Sequence, residues 1–196
     1  MPYDAAGPPL HAFTSFDAHS DALKSGMLLR AAEPDDAMSV ARVHVRSWQV
    51  GYRNLLPDDY LDGLQPEERA QRYNFASPDL RQPRTIVAVE AGAIRGFATS
   101  APARDPAASD HGELCALYVD PDWWGRGIGT ALVSAARAHL VDLGFRHALL
   151  WVLAGNTRAE RFYQIDQWQS DGVHRTVLVW GAAIDEVRYR RVLSAG

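Results

Sequence analysis

The chain has 196 residues, 47% of them hydrophobic, and a formal net charge of −4 at pH 7. The acidic balance argues against nucleic acid as the main partner, because phosphate contacts need a basic face. The single cysteine, Cys115, excludes an intramolecular disulfide and a multi-cysteine metal site. No stretch approaches the roughly 20 apolar residues of a membrane-spanning helix. We therefore expect one domain with no metal, no nucleic-acid partner and no membrane partner.

Residues 1–26 differ in composition from the rest of the chain. They contain Gly7-Pro8-Pro9 and several Asp and His residues, but no apolar run of signal-peptide length. We interpret them as an appendage of a cytoplasmic protein, followed by a single domain over residues 27–196. Phe13 and Phe16 are the predicted anchors that pack the appendage on the domain or on a second copy, so a homodimer is one of the expected arrangements.

The first half of the domain alternates strands with helices. A strand is predicted at 28–32, and Glu33-Pro34-Asp35-Asp36 then places proline and acids at the start of a helix, where both are favourable. The patterns further predict helices from this start to about residue 52, over 57–64 and from 66 to about 75, strands over 85–90 and 94–100, and a loop over 101–110. His44, in the first helix, is interpreted as a packed, hydrogen-bonded side chain, because one histidine without a partner supports no metal site.

The central feature is a strand, a glycine-rich turn and a long helix within residues 113–140. The strand is the apolar run 114–119, which ends at Asp120-Pro121-Asp122 because proline lacks the amide that a ladder needs. Glycines then fall at every second position of 125–129. Apolar residues follow at three- and four-residue spacing as far as Leu143, which predicts a helix with one apolar stripe. The next residue is a glycine, the preferred cap for a helix C-terminus.

The glycine-rich turn predicts a phosphate site. The first amides of a helix have no partner inside the helix, and the macrodipole adds about half a positive charge at that end. Glycines without side chains let an anionic ligand reach this backbone. The alternative is that the glycines only make a tight turn and let the helix pack closely. A Walker A loop is excluded, because the only lysine, Lys24, is far away. A dinucleotide fingerprint is excluded, because Thr130 and Leu132 occupy the positions of its third glycine.

The turn resembles the acetyl-CoA motif of the GNAT superfamily (Gcn5-related N-acetyltransferases), Gln/Arg-x-x-Gly-x-Gly/Ala at a strand–helix junction. The matching segments are Leu117-Tyr118-Val119-Asp120-Pro121, Trp124-Gly125-Arg126-Gly127-Ile128-Gly129, the run 150–156 and Arg161-Phe162-Tyr163. The resemblance extends over about residues 27–193. It departs at Trp124, which replaces Gln or Arg, and at 165–168, where the bend after Tyr163 lacks its usual glycine.

The resemblance implies an α/β (α+β) fold with a mixed central sheet of six to seven strands, flanked by helices and splayed between the fourth and fifth strands. The apolar run 147–153 is then a strand parallel to 114–119, joined to it across the helix in a βαβ unit. A short helix over 156–165 and strands over about 173–180 and 186–193 complete the prediction.

The resemblance also implies transfer of an acetyl group from acetyl-CoA to a primary amine of a small molecule or peptide, by direct attack in a ternary complex. The cofactor-binding residues that it implies are Leu117, Tyr118, Val119, Gly125, Arg126, Gly127, Ile128, Gly129, Thr130, Asn156 and Tyr163. Among them, Leu117 and Tyr118 are expected to offer backbone groups to the pantetheine arm, and the Val119 amide to hold the acetyl carbonyl. Asn156 is a pantetheine ligand, a helix N-cap, or both.

The reaction needs a base and an acid. An amine with a pKa of about 10.4 is neutral about once in 2,500 molecules at pH 7, so its proton must be removed. Glu113, which by alternation shares a strand face with Cys115, Leu117 and Val119, is the candidate base acting through water; an exposed strand-end carboxylate is the alternative. Tyr163 is the expected donor of a proton to the leaving thiolate, unless it only packs in the fold.

The acceptor site implied by the resemblance contains Trp48, Tyr52 and Glu113, although core packing is the alternative for the two aromatic residues. Cys115 is predicted to be a small buried residue rather than an acyl-carrying nucleophile, since no His or Lys lies near it in sequence. Two other functions stay open. One is a catalytically silent CoA-binding module on the same fold, and the other is an acyltransferase that uses another acyl-CoA or an alcohol acceptor.

Overall fold

The structure, a computed structural model, describes residues 26–76, 82–179 and 181–193. Within these ranges seven β-strands form one sheet and five α-helices pack around it. The strands are β1 (Leu28–Ala31), β2 (Arg84–Glu90), β3 (Ala93–Pro102), β4 (Gly112–Val119), β5 (His147–Leu153), β6 (Gln169–Val179) and β7 (Ala182–Val192). The helices are α1 (Ala37–Gly51), α2 (Asp58–Asp62), α3 (Pro66–Ala70), α4 (Ile128–Asp142) and α5 (Thr157–Ile165), with 3-10 turns at Pro34–Asp36, Pro106–Ala108 and Pro121–Trp123.

The proposed anchors Phe13 and Phe16 lie outside the described residues. The division into an appendage and a domain over 27–196 stays a prediction, as do the cytoplasmic location and the homodimer. None of the helices in the described ranges has the length and apolar character to span a membrane.

The strand order is β1-β2-β3-β4-β5-β7-β6, and neighbouring strands are antiparallel except β4 and β5. The helix α4 joins the parallel pair, because a parallel connection must cross over one face of the sheet. It packs on β3 and β4 from one face, and α1 packs on the same strands from the other. The predicted mixed sheet flanked by helices is confirmed.

Several element bounds differ from those predicted. The strands β6 and β7 each begin four residues before the expected start, because they pair with each other as a long hairpin. The helix α3 ends at Ala70 rather than near residue 75. The expected loop 101–110 is shorter, since β3 continues to Pro102 and a 3-10 turn forms at Pro106–Ala108.

The parallel strands β4 and β5 separate after a short paired stretch. Their pairing runs from Gly112 opposite Ala148 to Leu114 opposite Leu150. Residues 115–119 of β4 have no partner on that side among the described strands. The predicted splay between the fourth and fifth strands is confirmed, and it opens the sheet beside the start of α4.

A β-bulge interrupts β4 at Cys115. Ser100 of β3 pairs with Leu114, and the preceding Thr99 pairs with Ala116, so Cys115 is an extra residue on β4. Because side chains alternate between the two faces of a strand, one extra residue exchanges the faces of everything beyond it.

The bulge corrects the predicted face of Glu113. Simple alternation places Glu113 on one face with Leu117 and Val119. In the structure Leu117 and Val119 pack with the core under α4, whereas Ala116 and Tyr118 pack on the α1 side. Glu113, which precedes the bulge, falls on the α1 side with Tyr118.

Two glycines bring α4 close to the sheet. A Cβ on Gly96 would lie 2.9 Å from the Tyr118 carbonyl oxygen and 2.9 Å from the Leu132 side chain. A Cβ on Gly112 would lie 2.6 Å from the Leu140 side chain. The close approach buries the predicted apolar stripe, at roughly 2 kcal/mol for each large side chain. Its residues are Ile128, Leu132, Val133, Ala136 and Leu140.

The C-terminus of α4 has the glycine cap that the sequence predicts. Gly144 has φ of 90°, in the left-handed region. Its N–H donates to the Val141 carbonyl at 2.8 Å, and that of Phe145 donates to the Leu140 carbonyl at 3.1 Å. This pair of bonds is a Schellman motif.

Candidate active site

A cavity of about 450 Å³ opens where β4 and β5 separate. Its volume falls within the roughly 300–1,000 Å³ of small-molecule sites. The predicted site residues that line it are Trp48, Tyr52, Glu113, Leu117, Tyr118, Val119, Gly125, Gly127, Ile128, Gly129, Thr130, Asn156 and Tyr163. Arg126 is the exception, because its guanidinium stacks on Trp123 at 4.5 Å from the ring centroid.

The turn between β4 and α4 presents its backbone to the cavity. Gly125 and Gly127 have φ of 76° and 82°, which glycine adopts without strain. Gly127 is the N-cap of α4, and no side chain caps the helix. Ala131 donates the first bond to the Gly127 carbonyl, at 3.0 Å, so the amides of residues 128–130 have no helical partner. A Cβ on Gly125 or Gly127 would meet no atom within 4 Å, so the space before these amides is open.

The free edge of β4 continues this row of backbone donors. The Asp120 N–H donates to the Arg95 carbonyl at 2.8 Å, which fixes the alternation of hydrogen bonds along the β3–β4 ladder. By that alternation the N–H groups of Leu117 and Val119 point away from β3, into the gap before β5. The N–H of Tyr118 points toward β3. Tyr118 therefore gives the cavity its side chain, not the backbone groups that we expected.

Two side chains hold the end of β4. The Val119 carbonyl accepts hydrogen bonds from Ser47 Oγ at 3.0 Å and from Trp124 Nε1 at 2.8 Å. Trp124, which replaces the Gln or Arg of the motif, thus anchors the strand through its indole N–H. Sequence reasoning missed Ser47, because a lone serine in a helix carries no sign of a contact with a distant strand.

Tyr163 is held in the cavity wall by the turn that ends α5. The N–H of Trp168 donates to the Tyr163 carbonyl at 2.9 Å, and that of Gln167 donates to the Gln164 carbonyl at 3.0 Å, a second Schellman motif. Gln167 has φ of 65° and takes the left-handed position of the missing glycine. Trp168, only 1% exposed, packs its ring against Tyr163.

The environment of Tyr163 keeps its hydroxyl protonated. Burial raises the pKa of this phenol well above its usual value, and the nearby Tyr118 and Asp166 raise it further. The adjacent Phe162 lies against the start of α4, where a Cβ on Gly129 would be 3.4 Å from its ring. The helix α5 therefore contacts the start of α4 through Phe162 and carries the protonated hydroxyl of Tyr163.

Asn156 has the N-cap geometry that was one of its two expected roles. Its Oδ1 accepts a hydrogen bond from the Ala159 N–H at 3.1 Å, at the start of α5. The side chain also lines the cavity. Its Nδ2 makes no hydrogen bond to the described residues and so has N–H donors for a ligand.

Trp48 and Tyr52 form the wall on the α1 side. Their ring centroids lie 4.9 Å apart, and the hydroxyl groups of Tyr52 and Tyr118 lie near enough to affect each other's pKa. Burial is the main reason why the pKa of both tyrosines is raised. These side chains are packed in the core and line the cavity at once, so both expected roles fit the structure.

His44 supports this wall from behind, and its prediction as a packed, hydrogen-bonded residue is confirmed. Its ring stacks on Tyr118 with centroids 4.3 Å apart. Its Nδ1 lies 2.6 Å from the Tyr73 hydroxyl and accepts a bond from Arg69 Nε at 3.2 Å. Because a guanidinium only donates, Nδ1 is an acceptor and Tyr73 donates to it. Burial, with Arg69 adding, lowers the pKa of His44 well below its usual value.

Among the described residues, two carboxylates line the cavity, Glu113 and Glu186. The Arg104 N–H donates to Glu113 Oε2 at 3.4 Å. Arg175 Nε donates to Glu186 Oε2 at 2.7 Å, and the Arg175 guanidinium stacks 3.8 Å from the centroid of the Trp151 ring. Sequence reasoning missed Glu186, Arg175 and Trp151, because strand alternation shows which side chains share a face but not which element covers that face.

Cys115 is exposed to the cavity, so its prediction as a buried residue is wrong. The bulge takes it out of the regular alternation that would have placed it in the core. Surrounding protein raises the pKa of its thiol to about 12, and the charge of Glu113 adds to this effect. Such a thiol stays protonated at pH 7, which agrees with the expectation that Cys115 carries no acyl group.

Arginine side chains surround the turn that opens α4. Arg158 lines the cavity and stacks on Trp124, its guanidinium carbon 3.4 Å from the ring centroid. Burial lowers the pKa of Arg158, but a guanidinium remains charged at neutral pH. Arg95 and Arg126 stack on Trp123 at 4.3 and 4.5 Å. Their charge makes this end of the cavity attractive to anions.

A splayed mixed sheet with an open-amide turn between β4 and α4 defines the chain as an acetyltransferase of the GNAT type. Residues 49–166 match the acetyltransferase (GNAT) family, and the chain belongs to this family. The predicted class, a GNAT-type N-acetyltransferase, is confirmed.

Known proteins agree with this assignment. The chain is 30% identical over 128 residues to the uncharacterized N-acetyltransferase YuaI of Bacillus subtilis (strain 168), covering 65% of this chain and 72% of YuaI. Its fold is similar to that of an N-acetyltransferase from Staphylococcus aureus Mu50, with a TM-score of 0.67, 20% identity, and coverage of 87% of this chain and 100% of that one. It is also similar to YncA, a putative acetyltransferase from Salmonella typhimurium solved with its cofactor acetyl-CoA, with a TM-score of 0.65, 16% identity, and coverage of 88% and 96%.

Proposed function

We propose that this protein transfers an acetyl group from acetyl-CoA to a primary amine of a small molecule or peptide, with both substrates bound together. The observation that carries the proposal is the row of backbone donors that runs from residues 125–130 to Val119 and Leu117 on the open edge of β4. Family membership supports acetyl transfer, and the acetyl-CoA in the YncA structure supports the same cofactor.

The row of donors suits a pyrophosphate joined to an amide-containing arm. The pyrophosphate binds the N–H groups of the turn, where the α4 macrodipole favours negative charge. Arg158 and Arg126 supply cations for the remaining phosphate charge. The pantetheine arm adds to β4 like a further strand, and the N–H groups of Val119 and Leu117 donate to the arm and to the thioester carbonyl. Asn156 Nδ2 donates from the opposite side of the arm.

The acceptor arrives as an ammonium ion, and its nitrogen attacks only after losing a proton. A carboxylate of the cavity takes that proton, and the nitrogen lone pair then forms a bond to the thioester carbon. Strand N–H groups stabilise the charge that develops on oxygen. When the C–S bond breaks, its electron pair stays on sulfur, and Tyr163 protonates the thiolate. The second proton lost by nitrogen restores the Tyr163 phenol, and the carboxylate releases one proton to solvent.

The alternative functions have less support. A silent CoA-binding module needs no proton acceptor and donor in one cavity, yet Glu113, Glu186 and Tyr163 all line it. A longer acyl chain needs apolar depth, whereas this cavity holds both carboxylates and Arg175. Acetyl transfer to a charged amine fits this polar wall best.

The activity is tested with the purified full chain, acetyl-CoA and a panel of acceptors that contains amino acids, polyamines, aminoglycosides, peptides with a free N-terminus, and an alcohol. Release of free thiol and the mass of one added acetyl group are measured. We expect at least one amine to raise thiol release above the rate without acceptor. If acetyl-CoA binds but no acceptor raises thiol release, the catalytically silent CoA-binding module is the better description.

The row of donors is tested by Gly127→Ala. The methyl group enters the open space before the turn and strains a backbone with φ of 82°, so the affinity for acetyl-CoA should fall at least about tenfold. Gly144→Ala is the matched control, because Gly144 ends the same helix with φ of 90° and open space around its Cβ position. Calorimetry should show similar destabilisation in both variants but lost affinity only in Gly127→Ala. Equal affinities would contradict the proposed site.

A further inference from the structure

The proposed reaction needs one carboxylate to take the ammonium proton, and in the described part of the chain two carboxylates line the cavity, Glu113 and Glu186. The sequence points to Glu113, because it opens the central strand. The register of the sheet, however, places the two side chains at different levels of the gap between β4 and β5.

Glu113 lies at the closed end of the gap. It pairs with Leu149, where β4 and β5 still hydrogen bond to each other. Because Cys115 is an extra residue in the bulge, a rise of about 3.3 Å per residue places Leu117 about 10 Å and Val119 about 17 Å further along the strand. These are the residues whose N–H groups face the gap, so Glu113 is far from the proposed thioester position.

Glu186 lies at the open end. On β7 it pairs with Leu153, the last residue of β5, four residues beyond Leu149. Parallel strands advance together, so this level of β5 faces residues 117–118 of β4 across the gap, allowing for the bulge. Glu186 is thus level with the backbone donors.

The electrostatic neighbours of Glu186 agree with this placement. After burial, the charge of Glu186 is among the causes that raise the pKa of Tyr52 and Tyr118. Tyr163 is another of the groups that raise the pKa of Tyr52. The proposed acid, Tyr163, and Glu186 therefore face one cluster of tyrosines.

We infer that Glu186 is the catalytic residue that binds the acceptor ammonium and receives its proton, an inference that rests on the acetyl transfer proposed above. Arg175 bonds Glu186 Oε2, which leaves Oε1 for the acceptor, and stacking on Trp151 holds the guanidinium in place. One N–H bond of the ammonium breaks, the proton moves to Oε1, and nitrogen keeps the electron pair for its attack. The side chain is 17% exposed, so the proton can pass to solvent after the acetyl group has moved.

The test is Glu186→Gln, which keeps the shape and a bond to Arg175 but cannot take a proton. With the best amine of the panel, kcat/KM should fall about 10²- to 10⁴-fold at pH 7, while the acetyl-CoA affinity stays within about twofold. The rate of the variant should rise with pH, as the neutral amine becomes abundant. Among the described residues, titratable groups near Glu186 include Arg175 on β6, Tyr52 after α1 and Tyr118 on β4.

Asp185→Asn is the matched control, because Asp185 is an exposed carboxylate next to Glu186 on β7 and bonds Thr176 Oγ1 at 2.6 Å. It should keep wild-type kcat/KM. Glu186→Asp, which retains the charge, should be at least about tenfold more active than Glu186→Gln. This comparison distinguishes loss of proton transfer from loss of folding.

The competing assignment is tested by Glu113→Gln. A smaller loss there than in Glu186→Gln supports the inference, and a larger loss overturns it. If the wild-type protein acetylates no amine, the proposed function fails and this inference fails with it. If the wild type is active and Glu186→Gln stays within about tenfold of it, only this inference fails.

Discussion

The ring of Tyr163 meets the buried ring of Trp168 edge-on, with centroids 6.2 Å apart and planes at 72°. The same two residues are also joined through the backbone, because the Trp168 N–H donates to the Tyr163 carbonyl at 2.9 Å. The proposed proton donor is therefore positioned by the turn after its helix as well as by the helix. Such support fixes a catalytic group before substrate arrives.

Tyr163→Phe should lower kcat about 10²-fold and leave the acetyl-CoA affinity within about twofold, because the variant keeps the ring but loses the proton. Steady-state thiol release and calorimetry measure the two quantities. Tyr189→Phe is the control, since Tyr189 is buried in the core on the α4 side and does not line the cavity. Unchanged turnover in Tyr163→Phe would refute the acid role.

Gln167→Gly should stabilise the protein by about 0.5–1 kcal/mol. A left-handed residue other than glycine costs about 1–2 kcal/mol, and glycine gives back part of this through its greater freedom in the unfolded chain. Gly144→Gln, at the equivalent position of the other Schellman motif, should destabilise by a similar amount. Urea unfolding measures both, and a loss of stability in Gln167→Gly would show that the Gln167 side chain makes a stabilising contact.

Cys115 should react slowly with iodoacetamide although it is exposed to the cavity. Its pKa is raised from 9.0 to about 12, so at pH 8 the reactive thiolate is about 10³-fold rarer than for an unperturbed thiol. Mass spectrometry after timed alkylation of the native and the urea-unfolded protein gives the two rates. Equal rates would show that the cavity leaves the thiol unperturbed.

The stability of the fold should decrease as the pH falls below about 6.5, the pKa of an unfolded histidine. Burial depresses the pKa of His44 in the folded state, so below pH 6.5 the unfolded chain binds the proton first. The contribution of neutral His44 to the free energy of unfolding is fully present above pH 6.5 and is lost as the pH falls. The free energy of unfolding then decreases by up to about 1.4 kcal/mol per pH unit. His44→Gln should remove that part of the slope in urea unfolding between pH 7 and pH 5. An unchanged slope would mean that His44 does not titrate on unfolding.

The sequence was sufficient where a feature depends on neighbours along the chain. The turn at 125–129 and the cap at Gly144 follow from local dihedral preferences, and the donors of the turn are amides that any helix start leaves unpaired. The same holds for the apolar stripe of α4, since the period of a helix is fixed by its own geometry. The family motif added the order in which these elements combine.

The remaining site features depend on contacts between distant segments. The bulge at Cys115 follows from the register of β4 against β3, and one extra residue exchanged the predicted faces beyond it. Glu186 and Arg175 reach the cavity only because β7 lies beside β5 where β5 parts from β4. Register and strand order minimise the free energy of the whole sheet, so no single segment encodes them. For this reason the cofactor turn could be predicted from the chain, whereas the carboxylate proposed to act as the base required the assembled sheet.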